Sequence, residues 1–389
     1  MRTHVTPGRL DQLAEVARPM KKLLMLAPVT LFASIVLVSA CGPGTTAVSA
    51  PAEENLDVMQ PPAGVDIDRT RASGQVVDQD GRAGWYPHEG GLMEYSVAIR
   101  FGQEPHTMPE GWSFGRVSAV ATDSAGEVYV FHRGDAADPI VVFDAEGTYQ
   151  RSFGADLDFG NEHGLRVDRH DNLWVTDNGN HRVMKLTTDG DVLMTLGIKG
   201  QAGTTDDTFD RPADIAFGPN DELYVADGYG NSRVVKYDAE GNFVTTWGTP
   251  GSGPGEFDLV HSIAVDSQGR VYASDRENNR IQIFDDQGTL LHTWNHLGAT
   301  QNVFITPDDQ VWVITHRDNV ENITYDTLAG RIMRVDIDTG AIVGAMESPG
   351  HWIDVADNGD IFIGSLTANV FRWYDAWMET EEAAQAERP

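Results

Sequence analysis

The sequence predicts an all-β protein folded as a six-bladed β-propeller. Three observations support this prediction: six segments recur at one phase, each opens a run of short strands, and the last run lacks a strand that an earlier segment can supply. The 389 residues include 40 glycines and are 41% hydrophobic, which is typical of a folded, turn-rich chain. A repeat of about 40–50 residues with four strands per unit is characteristic of propeller blades.

The repeat is visible in short segments spaced 45, 50, 48, 41 and 49 residues apart. Each is followed by a polar turn and an alternating strand, and the better-defined repeats continue with a third strand, a Gly-centred turn and a fourth strand. Such short strands with turn residues between them predict antiparallel sheets. The segments begin at Ser118, His163, Ala213, His261, Asn302 and His351.

The sixth repeat ends after FRWYDA (371–376) without a fourth strand. The segment from Glu94 to Gly102 (EYSVAIRFG) precedes the first repeat and has the pattern of an isolated strand. Joining the two would close the ring and hide its sheet edges. We therefore place the propeller at residues 93–375, with the N-terminal strand completing the last blade.

The N-terminal region has the pattern of an export signal. Lys21 and Lys22 precede an apolar run from Leu23 to Val38, and small residues lead into Cys41. This resembles a bacterial lipoprotein signal, and the run is shorter than the ~20 residues of a membrane span; a transmembrane anchor with an incidental cysteine is the alternative. The prediction is a signal peptide at 1–40, a lipidated Cys41, a flexible tether over 41–92 and an acidic tail at 376–389. It implies a protein of the bacterial cell envelope, periplasmic or outer-membrane, attached to the membrane through the lipid alone.

Charge and cysteine content restrict the remaining partners. The chain has 28 Lys+Arg against 59 Asp+Glu, a formal net charge of −31. Nucleic-acid binding is therefore excluded, because its sequence-independent part depends on basic residues that neutralise phosphates. The single Cys cannot form an internal disulfide, so the fold depends on packing, and we expect a monomer.

Three histidines share the first position of the innermost strand in alternate repeats: His163, His261 and His351. Alternate blades of a six-bladed ring are related by about 120°, and innermost strands line the axial channel, so the three imidazoles should converge. Three His ligands with an open position are typical of catalytic zinc, and ligation by imidazole alone favours Zn²⁺ over Ca²⁺ or Mg²⁺. Fe, Co and Cu stay open, as does the alternative that each His lines a hydrated channel.

Residues that follow the second strand of each blade should surround this cluster, because the first strand begins where the antiparallel second strand ends. They form a cationic mouth suited to a substrate with a free carboxylate, either a small molecule or a peptide. Blade packing is the alternative role for the arginines. The residues concerned are Arg133, Tyr229, Arg276, His316 and Arg317.

The loops between the second and third strands carry a repeated Asp, Asn and Arg pattern that resembles the NHL repeat. Its expected role is structural, a contact network that fixes one blade to the next. The pattern occurs at 177–182, 227–233 and 275–280.

At larger scale the chain resembles the peptidyl-α-hydroxyglycine α-amidating lyases, which are six-bladed NHL propellers. The resemblance spans roughly residues 117 to 372 and is strongest at VFHRGD (130–135), HGLRVDRHDNLWVTD (163–177), ADGYGNSR (226–233) and HSIAVDSQGRVYASDRENNRIQIF (261–284). It implies cleavage of the N–Cα bond of a C-terminal α-hydroxyglycine to give an amide and glyoxylate. It also implies Zn²⁺ on the three histidines, Arg133 as the carboxylate ligand and Tyr229 as a general base whose pKa a cation and the metal lower.

The chain departs from that family at several positions. Pro349-Gly350-His351-Trp352 stands where the family has Met-Pro-His-Asp, so a methionine and an acidic calcium ligand are missing, and Gly230 replaces a disulfide cysteine. A structural Ca²⁺ bound through the backbone carbonyls of Val120 and Leu165, with Asp354 as a substitute ligand, therefore stays open. So do another metal-dependent reaction, such as hydrolysis of a small carboxylate, and a non-catalytic envelope propeller that binds a protein or ligand.

Overall fold

The computed structural model describes residues 107–317, 331–347, 350–374 and 101–102, and four short strands nearer the N-terminus: Val58–Met59, Val76–Val77, Ala83–Gly84 and Ser96–Arg100. The predicted signal peptide, Cys41, most of the tether and the acidic tail lie outside the described residues. Within the described part of the chain, no helix is long and apolar enough to cross a bilayer.

Six blades of four antiparallel strands each form a propeller, as the repeats predict. From the innermost strand outward, the blades are blade 1 (Arg116–Thr122, Val128–Arg133, Ile140–Phe143, Tyr149–Phe153), blade 2 (Glu162–Val167, Leu173–Asp177, Arg182–Leu186, Val192–Leu196), blade 3 (Asp214–Phe217, Leu223–Asp227, Arg233–Tyr237, Phe243–Trp247), blade 4 (Val260–Val265, Val271–Asp275, Arg280–Phe284, Leu290–Trp294), blade 5 (Ala299–Ile305, Val311–Arg317, Arg331–Val335, Ile342–Glu347) and blade 6 (Trp352–Val355, Ile361–Ser365, Asn369–Tyr374, Ser96–Arg100).

The ring closes through the N-terminal strand. Ser96–Arg100 pairs antiparallel with Asn369–Tyr374 and is the outermost strand of blade 6, which confirms the prediction from the incomplete sixth repeat. A shorter contact was not predicted: Val58–Met59, within the expected tether, pairs in parallel with the outermost strand of blade 4.

Burial decreases from the axis outward. The second strands of blades 2, 3 and 4 are buried at every residue, because each blade is covered on both faces by its neighbours. In contrast, the outermost strand of blade 2, Val192–Leu196, is exposed at three of its five positions. The core is therefore a set of apolar layers between blades, and the axis is lined by the innermost strands.

The Asp, Asn and Arg pattern forms the contact network that the sequence predicts. Asp177 Oδ2 accepts hydrogen bonds from Arg182 Nε and Asn180 Nδ2, each at 3.0 Å, and its Oδ1 accepts from Gly160 N at 2.9 Å. Arg182 Nη2 donates to Leu157 O at 2.7 Å, in the segment that arrives from blade 1. The network thus fixes each blade to its incoming connection. The matching ion pairs are Asp227–Arg233 at 2.8 Å and Asp275–Arg280 at 2.7 Å.

Candidate metal centre

The three predicted histidines meet in the axial channel. Their candidate ligand atoms all lie within 4.8 Å of one another, and their ring centroids are separated by 5.0, 5.1 and 5.3 Å. His163, His261 and His351 are each at most 4% exposed. The alternation in the sequence therefore places three imidazoles at one height on the axis.

Each imidazole is oriented by the neighbouring blade through the same contact. Nδ1 hydrogen-bonds to a backbone carbonyl of the following blade or of the residue that leads into it: His163 to Ala213 O at 2.7 Å, His261 to Gln301 O at 2.5 Å and His351 to Ser118 O at 2.7 Å. A carbonyl can only accept, so Nδ1 carries the proton and Nε2 keeps its lone pair. This is the tautomer and orientation that a metal-binding imidazole requires.

One candidate ligand atom has no partner in the described part of the protein. His261 Nε2 is buried and has no hydrogen-bond partner among the described residues, an arrangement that costs free energy unless something binds there. Burial also lowers the pKa of His163 and His261 well below the ordinary value, with further lowering by His351 and Arg133 at His163 and by Arg276 at His261. Neutral imidazoles are the metal-binding form, so the three residues fit a transition metal such as zinc.

Tyr229 stands beside the histidines, as predicted. It follows the second strand of blade 3, and its Oη lies 3.0 Å from His163 Nε2. Its pKa, however, is raised rather than lowered, because burial outweighs the opposing charges of Arg276 and Arg133. The sequence-based prediction was that a cation and a bound metal together lower the Tyr229 pKa. Without the metal, the cations do not overcome the effect of desolvation.

Arg133 ends the second strand of blade 1 and is partly buried. Its Nε donates to Glu162 O at 2.6 Å, next to His163 in the chain, which holds the guanidinium at the mouth of the channel. Its terminal nitrogens, Nη1 and Nη2, have no acceptor among the described residues. Burial lowers its pKa, and the group keeps two donors for an incoming carboxylate.

Arg276 lies in a short 3₁₀ helix, Arg276–Asn278, after the second strand of blade 4. It forms an ion pair with Glu277 at 2.7 Å and donates from Nη1 to Gln301 Oε1 at 3.4 Å. Its guanidinium carbon is 5.9 Å from the Tyr229 ring centroid. Arg276 is therefore near the site but already paired, so Arg133 is the more available carboxylate ligand. The ion pair with Glu277 was not predicted from the sequence, although Glu277 is the next residue in the chain.

His316 and Arg317 end the second strand of blade 5, on the expected face. Their side chains lie outside the described part of the structure, so their predicted role in substrate binding stays a prediction. Val120 and Leu165 lie in the innermost strands of blades 1 and 2, and both are fully buried.

Trp352 packs against the histidines. From the sequence it was notable only as the position of a missing carboxylate. Its ring centroid is 6.3 Å from that of His163 and 6.2 Å from that of His351, and the side chain is fully buried. A Cβ at Gly164 would lie 2.8 Å from Ala213 O and 3.0 Å from the indole, so glycine is needed at that position. The indole thus packs against the rings of His163 and His351.

Comparison with known proteins agrees with this architecture. A profile described as a 6-bladed beta-propeller matches residues 204–378, and one described as an NHL repeat matches 163–186. Human NHL repeat-containing protein 3 is 34% identical over 249 residues, which is 57% of this chain and 71% of that protein.

Two further relatives have names that refer to amidation. Mouse peptidyl-glycine alpha-amidating monooxygenase is 33% identical over 259 residues, 58% of this chain and 26% of that protein. A probable peptidyl-alpha-hydroxyglycine alpha-amidating lyase of Caenorhabditis elegans is 33% identical over 195 residues, 44% of this chain and 55% of that protein. The chain thus spans about a quarter of the monooxygenase and just over half of the worm protein.

Proposed function

This chain belongs to the NHL-repeat family of six-bladed β-propellers, and on that premise we propose that it is a zinc-dependent amidating lyase. The reaction would cleave the N–Cα bond of a C-terminal α-hydroxyglycine, or of a similar N-acyl α-hydroxyglycine, to give an amide and glyoxylate. The observation that carries the proposal is the convergence of three oriented imidazoles, Tyr229 and Arg133 at one mouth of the channel. Relatives named as amidating lyases support the same chemistry.

The metal would bind through Nε2 of His163, His261 and His351, whose Nδ1 contacts already fix their orientation. Bound zinc would act as a Lewis acid that lowers the pKa of the substrate hydroxyl. The three ligands leave a coordination position for the substrate, as catalytic zinc sites do.

Arg133 would bind and orient the substrate carboxylate. Two parallel hydrogen bonds from a guanidinium match the geometry of a carboxylate, and the terminal nitrogens of Arg133 have no other acceptor in the described residues. Its partial burial strengthens the contact, because a charged hydrogen bond is screened less away from bulk water. A cationic mouth in a chain of net charge −31 also attracts an anion locally.

Tyr229 Oη would take the proton of the substrate hydroxyl. Its 3.0 Å contact with His163 Nε2 puts it beside a ligand atom, and the guanidinium groups of Arg276 and Arg133 favour its phenolate form against burial. As that proton leaves, the hydroxyl oxygen forms the C=O of glyoxylate and the N–Cα bond breaks. The electron pair of that bond passes to the amide nitrogen, which takes up a proton.

The test is to purify the protein, determine its metal content by mass spectrometry and assay glyoxylate release from α-hydroxyhippurate. We expect bound zinc and glyoxylate together. His261→Ala should lose both, whereas His170→Ala, an exposed histidine paired with Asp221, should lose neither. Zinc without glyoxylate would contradict the proposed reaction, and a protein that takes up no metal after zinc is added would contradict the site itself.

A propeller that binds without catalysis is the second candidate. Human NHL repeat-containing protein 3 matches this chain over 71% of its own length, and its name states no reaction. Trp352 stands where the amidating lyases that the sequence resembles have an acidic residue, and this difference favours a function other than theirs. The glyoxylate assay separates the two, because only the lyase turns over α-hydroxyhippurate.

A further inference from the structure

Arg166 lies in the innermost strand of blade 2, three residues after His163, and points into the axial channel. Its side chain is 8% exposed and pairs with a fully buried carboxylate, that of Asp214 in blade 3. The pair is bidentate: Nε donates to Oδ1 at 3.1 Å and Nη2 to Oδ2 at 2.7 Å. A positive charge is thus fixed on the axis of the ring by a partner on the next blade.

The same guanidinium reaches two further blades. Nη2 donates to Val303 O of blade 5 at 3.1 Å and lies 3.5 Å from Ser262 Oγ of blade 4. With its amide oriented to satisfy its neighbours, Asn302 of blade 5 accepts from Nη2 at 2.9 Å. Asp214 Oδ2 in turn accepts from Ser262 Oγ at 2.7 Å. One cation therefore links the innermost strands of blades 2, 3, 4 and 5.

Trp352 brings blade 6 into the same cluster. The guanidinium carbon of Arg166 lies 4.6 Å from the Trp352 ring centroid, a cation–π contact that is strong when desolvated. The indole also packs against His163 and His351. Arg166 lines a cavity of about 600 Å³ formed by the ends of the innermost strands and the turns that follow them. Trp352 contacts both its guanidinium and the histidines.

The side chains around this cation do not fit a calcium ion. Ca²⁺ takes six to eight oxygen ligands, usually with carboxylates among them, and the position where the resembling family has an acidic ligand carries Trp352. Both oxygens of Asp214 are held by Arg166. Asp354, the remaining candidate, accepts at Oδ2 from Thr122 N at 2.9 Å and Thr122 Oγ1 at 2.7 Å.

We propose that the Arg166 guanidinium takes the structural place of a bound divalent cation in the channel, so that the propeller is stable without calcium. A guanidinium supplies five N–H donors and stacks on an aromatic ring, which matches the carbonyl, carboxylate and indole groups around it. The side chain at position 352 then selects the cation: an acidic residue would favour a metal ion, whereas Trp352 favours arginine. This inference does not depend on the proposed reaction.

The test compares melting temperatures of the protein stripped of metal and reloaded with zinc alone or with zinc and millimolar CaCl₂. We expect the same melting temperature in both. Arg166→Met should lower it by about 10 °C, because removal of one partner leaves a buried charge uncompensated. The control is Arg169→Met, which removes an exposed arginine paired with Asp221 at the same face and should shift the melting temperature by less than about 2 °C.

A melting temperature of the unmodified protein that rises by several degrees with calcium would overturn the proposal. Equal melting temperatures of the Arg166→Met and Arg169→Met variants would do the same. If Arg166→Met does not fold, Arg166→Lys keeps the charge and loses the bidentate contact, and we expect an intermediate decrease. The calcium comparison on the unmodified protein decides in every case.

Discussion

Replacing Tyr229 by phenylalanine removes one oxygen atom and keeps the ring that packs on the site. The ring centroid lies 5.1 Å from that of His163 and 5.6 Å from that of His261, so the variant should preserve the packing. In the proposed reaction the lost oxygen is the general base, a role that contributes about 10²–10⁴-fold. We expect kcat for glyoxylate release to fall by about 10³-fold, equivalent to about 4 kcal/mol in the activation barrier.

The assay follows glyoxylate from α-hydroxyhippurate at saturating substrate, with metal content measured on the same sample. Tyr237→Phe is the matched control, because it removes a hydroxyl of the same blade that instead donates to Asp206 O at 3.0 Å. We expect the control to keep its activity and both variants to keep their metal. A Tyr229→Phe variant that retains metal and turns over at the rate of the unmodified protein would refute the role of this hydroxyl.

Three other variants test the remaining assignments, two made from the structure and one from the sequence. Arg133→Ala should lower kcat/KM by about 10–100-fold, the value of a charged hydrogen bond or two, and Arg133→Lys should restore part of it; an unchanged kcat/KM would remove Arg133 from carboxylate binding. Burial raises the pKa of Asp354 to about 6, opposed by Thr122 and Arg166 and reinforced by Asp357. Because this folded-state pKa exceeds the unfolded value of about 3.9, the stabilisation from protonated Asp354 is complete below about pH 4 and is lost by about pH 6, an effect of about 3 kcal/mol. Asp354→Asn should therefore raise the melting temperature at pH 8 and give no gain at pH 4, and a variant without that difference would contradict the assignment. For the N-terminus we propose lipid anchoring, so Cys41→Ser should release the protein from the membrane fraction; retention there would contradict it.

Much of the fold was predictable because the repeat is a property of the sequence itself. Six segments at one phase fix the number of blades, and the unpaired strand before the first repeat completes the last one. Alternate placement of His163, His261 and His351 then predicts convergence by symmetry alone. None of these inferences needs the detailed packing of one blade on the next.

Side-chain contacts between blades could not be predicted from the sequence as the number of blades could. The carbonyls that orient the histidines depend on how far adjacent innermost strands are offset along the axis, and the sequence does not encode that offset locally. The pairing of Arg276 with Glu277 and of Arg166 with Asp214 depends on side-chain direction in the folded ring. For the same reason the burial that raises the Tyr229 pKa in the protein alone was not predicted, since it is visible only in the structure.

The most direct test of the central claim is a zinc titration of the metal-free protein with glyoxylate release as the readout. Three histidine ligand atoms within 4.8 Å of one another form one site, so activity should rise from zero and level off at one zinc per chain. Glyoxylate release that is already present without metal, or that is absent at every zinc concentration, would contradict the account.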